Sequence, residues 1–168
     1  MKKSFTMVEL LVTLAVIALI TAFTLPQLAK VKVRTNLKNT ALEIQSAVLQ
    51  TKNYALSPRK SGTGIISYKI VFNKAEGSYE IFENYQDNSI SLLVPGTERK
   101  LSKDVSFKDF NWGQPTDTNK AEIEFSVKKQ AEIVNEFTSS PAEIIIEKTG
   151  YKFWKIKVIR ATGAVSVC

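Results

Sequence analysis

The chain has 168 residues, with 23 lysines and arginines against 16 aspartates and glutamates, a formal charge of +7, no histidine and one cysteine, Cys168. That inventory excludes an intramolecular disulfide, histidine-based acid–base catalysis and the usual zinc sites. The length allows one ordinary domain beside a membrane helix, and the basic balance is compatible with polyanion contact, as it is in many plain domains.

Met1 to Ser4 form a short basic leader carrying Lys2 and Lys3. Phe5 to Leu25 follow as an apolar run of Leu, Val, Ile, Ala and Phe, interrupted by threonines that can bond back to helix carbonyls. Roughly 20 residues at about 1.5 Å rise span a bilayer core, and a helix satisfies its own backbone in lipid. The run therefore reads as a membrane helix or a secretory h-region. The stretches Ile20-Thr21-Ala22 and Gln27-Leu28-Ala29 lack the small-x-small pair of a simple cleavage site, which argues for retention. Glu9 is a carboxylate placed after Phe5, Met7 and Val8 have already begun the apolar run. An ionisable residue within a span marks a functional site by default. The bland alternative is a solvated carboxylate at headgroup level, favoured by the dipole of the first helical turn.

Phe5-Thr6-Met7-Val8-Glu9-Leu10-Leu11, with the leader before it and Pro26 after it, resembles the N-terminal signature of type IV prepilins and type II secretion pseudopilins. The resemblance implies that a prepilin peptidase cuts between Ser4 and Phe5 and methylates the Phe5 amine. It implies that Glu9 pairs with the N-terminal amine of a neighbouring subunit, fixing its register in a helical filament, and that Pro26 perturbs the helix. The family prefers glycine before the cut, and Ser4 stands there instead. The implied partners are the peptidase, other pilins or pseudopilins, an inner-membrane assembly platform and membrane lipid. The implied location is the cytoplasmic (inner) membrane, single-pass, with a cytoplasmic N-terminus, and then the pilus or pseudopilus. Lys30, Lys32, Arg34 and Lys38 follow the span and by charge counting alone argue for the opposite orientation.

Residues 26–57 read as an amphipathic stalk helix. Leu37, Ala41, Ile44 and Val48 recur at helical spacing, Thr51 and Ala55 extend that face, and Lys38, Glu43, Gln45 and Lys52 occupy the other side. Pro26 removes one backbone donor inside the helix, and Leu56-Ser57-Pro58 ends it.

Residues 58–168 read as an antiparallel β domain. Arg59 to Gly64 make a basic linker without a phosphate-loop pattern. Ile66, Tyr68, Ile70 and Phe72 alternate with Ser67, Lys69 and Val71, and Ala75-Glu76-Gly77-Ser78 turns the chain into a second strand through Tyr79 and Ile81. Ser89 to Val94 make a third strand, and Val105 and Phe107 a short fourth. Asp109 to Lys120 read as a loop in which Phe110 and Trp112 anchor to the core or present a surface. Strands follow at Glu122 to Val127, Glu143 to Lys148, Phe153 to Arg160 and Val165 to Cys168, the last three as a meander, while Gln130 to Asn135 are ambiguous and Phe137 to Pro141 a loop. About eight short strands after one long helix give an α+β, type IV pilin-like fold, the helix packed on antiparallel sheet. This part resembles the GspH/FimT type of minor pilin or pseudopilin.

No catalytic residue, cofactor or metal set is expected: no nucleophile has a base partner, and Asp104, Asp109 and Asp117 lack the oxygen-ligand spacing of a regular calcium loop. Lys148, Lys152, Lys155, Lys157 and Arg160 cluster near the final strands. They offer a stripe for a polyanion, and the resemblance includes minor pilins that take up DNA. The bland alternative is a solvated sheet face whose lysines discourage edge pairing. Three functions thus stand side by side: a structural filament subunit for secretion, pilus or competence systems, a DNA-capturing minor pilin, and a membrane-anchored sensor in which Glu9 is incidental.

Overall fold

The computed structural model describes residues 6–58, 64–86, 91–111, 119–127, 132–133, 142–148, 153–159 and 164–168, with the Pro26 side chain left aside. The chain divides into two compact units, one ending at Asn36 and one beginning at Leu37. A single helix, α1, runs from Met7 to Leu56. The helix stops where expected, with the Ser57 amide still donating to Asn53 O at 2.9 Å and Pro58 next in line.

In the first unit α1 is exposed on every side. Leu10, Leu14, Ile17, Leu19, Phe23 and Leu28 all stand more than half exposed, which is the reverse of what water favours. This stretch is long and apolar enough to cross a membrane. Its hydroxyls are satisfied internally: Thr13 donates to Leu10 O at 2.8 Å, Thr21 to Ile17 O at 2.7 Å, and Thr24 to Ile20 O at 3.1 Å. A threonine bonded this way presents little unmet polarity to an apolar surrounding.

In the second unit α1 becomes one-sided. Leu37, Ala41, Ile44, Val48, Thr51 and Ala55, the face expected from spacing, are buried, and Thr40 and Ala47 join them. Against this face stand two antiparallel sheets. The first carries β1 (Ile65–Asn73), β2 (Ser78–Tyr85), β3 (Ser91–Leu93), β4 (Arg99–Lys100) and β6 (Lys120–Ser126), with β2 and β1 central. The second runs β5 (Ser106–Asn111), β7 (Ala142–Glu147), β8 (Trp154–Ile159) and β9 (Ala164–Val167) in the order 5-7-8-9.

The alternation that identified the strands also sets the core. Tyr68, Ile70 and Phe72 of β1 face inward opposite Ile123 and Phe125 of β6, and Ile144, Ile146, Ile156 and Val158 do the same in the second sheet. Phe72 joins the layers, with its ring 5.8 Å from Phe107 and 6.4 Å from Phe110. Tyr54 of α1 meets Tyr68 of β1 at 5.6 Å. Burying each such large side chain contributes about 1.5–3 kcal/mol.

Two expectations need correction. The segment from Asp109 is not loop from its start: β5 continues to Asn111, and a bulge between Phe107 and Asp109 shifts the register so that Phe107 and Phe110 both reach the core. The strand count among the described residues is nine, because Arg99-Lys100 pair with Ser78 and Tyr79 as a two-residue β4. Phe110 anchors inward, as one of its two readings held, whereas Trp112 lies outside the described residues. The meander of the last three strands holds, and the ambiguous 130–135 region contributes an isolated bridge from Ile133 to Phe125.

Candidate functional site

The start of α1 is built by Thr6 and Glu9. The Thr6 amide and hydroxyl both donate to Glu9 Oε2 at 3.2 Å, and the Glu9 amide donates to Thr6 Oγ1 at 3.3 Å. Leu10 N donates to Thr6 O at 3.2 Å as the first helical bond. This is a capping box: the N-cap hydroxyl and the N3 carboxylate satisfy two helix-end donors reciprocally. Its T-x-x-E pattern is readable in the chain, and the expectation above considered only the dipole and a foreign amine for Glu9. The carboxylate is therefore exposed, fixed in orientation and already bonded locally, with no further partner among the described residues. It can cap the helix and still offer negative charge to a cation at the helix end.

The other predicted residues of this region are placed unevenly. Ser4 and Phe5 lie outside the described residues. The helix runs without a break through Pro26.

The basic stripe of the β domain comes out differently from its sequence appearance. Lys155 and Lys157 do share the outer face of β8, with Ile156 and Val158 turned inward. Both reach the same carboxylate: Lys155 Nζ donates to Glu143 Oε2 at 3.0 Å, and Lys157 Nζ stands 3.5 Å from Glu143 Oε1. The hydrogen bond from Lys155, reinforced by Lys157, holds the Glu143 carboxyl below its ordinary range. Lys148 donates to Asp104 at 3.0 Å, and Lys108 pairs with Glu147 at 2.9 Å while lying over the Phe153 ring. Lys152 and Arg160 lie outside the described residues. Each described lysine of the stripe is thus matched by an acid, and a polyanion would have to displace those partners. Glu143 was invisible as a counter-charge because only strand register brings it opposite Lys157.

The outer face of the first sheet is also internally paired. Ser67 donates to Glu124, Asn84 Nδ2 donates to Ser67 Oγ at 3.1 Å and to Glu124 Oε1 at 3.0 Å, and Lys69 pairs with Glu122 at 3.5 Å. Among the described residues no three acidic or sulfur-bearing side chains converge on a metal position. Asp104 is engaged by Lys148, Asp109 accepts from the Phe110 amide at 2.9 Å, and Asp117 lies outside the described residues.

No protein-family model matches the chain, and no curated protein matches it. Two solved structures do. The minor pseudopilin EpsH from the type II secretion system of Vibrio cholerae superposes with a TM-score of 0.55 at 14% identity, covering 79% of this chain and 96% of that one. A crystal structure of the same protein gives a TM-score of 0.52 at 11% identity, covering 80% and 94%. A long N-terminal helix followed by two packed antiparallel sheets is therefore a shared architecture, and the chain has the pilin-like α+β fold of a minor pseudopilin.

Proposed function

We propose that the chain is a minor subunit of a pseudopilus or type IV pilus, acting by assembly rather than catalysis. The observation that carries this reading is the pairing of a pseudopilin-like fold with a helix start that is apolar and exposed on all sides. Such a surface is stable only in lipid or against other apolar helices, and one helix serves both settings in turn.

In this reading the chain inserts with its N-terminus cytoplasmic and its β domain outside. Prepilin peptidase cuts between Ser4 and Phe5 and methylates the new amine. Glu9, oriented by Thr6, meets the Phe5 amine of a neighbouring pilin or pseudopilin as the subunit leaves the membrane on its assembly platform. Pro26 loosens the helix where lipid contact ends. Secretion, pilus and competence systems are the candidate settings, and the likeness to a type II secretion pseudopilin favours secretion.

The test is co-purification of tagged wild-type protein with filament partners expressed from the same cluster, against Glu9→Gln. Loss of partners in the variant supports the assembly role; unchanged recovery returns the chain to a simple anchored domain. N-terminal sequencing of the membrane-extracted protein should begin at Phe5, and an intact Met1 would remove the processing step.

A further inference from the structure

Between Leu10 and Leu42 the chain holds no acidic residue, yet Lys30, Lys32 and Arg34 fall within five consecutive positions of α1. All three are exposed. The ion pairs among the described residues involve Lys69, Lys108, Lys148, Lys155 and Lys157, and none of these three. Among the described residues, Lys69, Lys108, Lys148, Lys155 and Lys157 of the sheets have carboxylate partners; these three cations of the helix do not.

Their position gives the omission a meaning. At about 1.5 Å per residue, Lys30 lies about 7.5 Å past Leu25 along the helix. A headgroup layer is about 5–8 Å deep on each side of the hydrocarbon core. Lys30 therefore falls at the phosphate level of the leaflet where the span ends. Long lysine and arginine side chains let Lys32 and Arg34 reach back into the same layer. Leu28 precedes the cations and Val31 separates Lys30 from Lys32, both exposed, an apolar and basic mixture suited to an interface.

The angular arrangement separates lipid from other anions. At about 100° per residue, Arg34 lies about 40° from Lys30, but Lys32 lies about 200° away on the opposite side. An acidic protein or a nucleic acid would touch one side of the helix. A leaflet surrounds it. We infer that Lys30, Lys32 and Arg34 form a collar that recruits anionic phospholipid headgroups, of the phosphatidylglycerol class, around the C-terminal end of the span. The collar rests on the reading of α1 as membrane-inserted. It also accounts for basic residues on the side where charge counting disfavours them: they hold the unassembled subunit at a fixed depth.

The experiment uses the full-length chain reconstituted into vesicles of phosphatidylcholine with and without phosphatidylglycerol. Flotation reads insertion, and the motionally restricted fraction of spin-labelled phosphatidylglycerol against spin-labelled phosphatidylcholine reads headgroup preference. The wild type should show a several-fold preference for phosphatidylglycerol that weakens with salt. The triple variant Lys30→Gln, Lys32→Gln, Arg34→Gln should insert equally and lose that preference. Lys100→Gln, Lys103→Gln, Lys120→Gln, an equal charge change in the β domain, should keep it. Flotation of the wild type without preference, or a preference that survives the triple variant, overturns the collar alone. Failure of every form to float with either vesicle overturns the membrane reading and the collar together.

Discussion

Gln45 Nε2 of α1 donates to the main-chain oxygen of Val165 in β9 at 2.8 Å. The bond joins the helix to the outermost strand of the second sheet, at a place where a strand edge would otherwise offer its carbonyl to any passing chain. Gln45 stands on the flank of the buried helix face, opposite the purely solvated role its position first suggests.

Replacing Gln45 by Ala should destabilise the β domain by about 1 kcal/mol, the net worth of one such hydrogen bond. Urea unfolding followed by tryptophan fluorescence should show a lower midpoint with an unchanged slope. An unchanged midpoint would mean that water replaces the amide without cost.

The capping box makes the two parts of Glu9 separable. Glu9→Gln keeps a side chain able to close the box but removes its charge. Thr6→Ala keeps the charge and opens the box, loosening the first turn by about 1 kcal/mol. If assembly depends on charge pairing with an amine, Glu9→Gln should abolish recovery of filament partners while Thr6→Ala reduces it only modestly. The reverse order would assign Glu9 a purely local role.

Phe72 touches Tyr79 on the neighbouring strand of its own sheet and Phe107 and Phe110 of the other sheet, and it is fully buried. Phe72→Ala should cost about 3–5 kcal/mol, through lost burial and the cavity left behind. Thermal unfolding is the measurement, and a loss below about 1 kcal/mol would show that the two sheets close over the gap.

Glu143 gives the β domain a defined response to acid. Its folded pKa lies below the ordinary 4.5 because Lys155, then Lys157, favour the charged form. The stabilisation is thus fully present above 4.5 and is lost as pH falls through the folded value. Surface pairs contribute about 0.2–1 kcal/mol each, so the effect is small. Wild type should lose more stability than Glu143→Gln over that interval in urea titrations at stepped pH; parallel losses would remove the assignment.

What could be read from the chain was what repeats. The helix face from Leu37 to Ala55 and the inward rows of β1, β6, β7 and β8 follow periods of 3.6 and 2, and the structure buries them accordingly. Arg99-Lys100 carry no period, since both side chains are exposed and only backbone pairing makes them a strand. Asp109 to Asn111 imitate a turn because the bulge breaks the alternation that would have revealed β5. The matching of Glu143 with Lys155 and Lys157 depends on register between β7 and β8, which no local pattern encodes. The Thr6–Glu9 box was the opposite case, a local signal overshadowed by the carboxylate's unusual setting.

The buried face of α1 in the second unit is made largely of small side chains: Thr40, Ala41, Ala47, Thr51 and Ala55. Thr51 meets its own hydrogen-bonding need by donating to Ala47 O at 2.8 Å, so the sheets owe it nothing. Small buried residues have little volume to lose and no room to grow, which makes substitution there one-directional. Trimming such a side chain removes almost no volume, whereas enlarging it forces helix and sheet apart. Variation along this part of the helix should therefore fall on its exposed side, with Thr40, Ala41, Ala47, Thr51 and Ala55 held to small side chains among the larger Leu37, Ile44 and Val48.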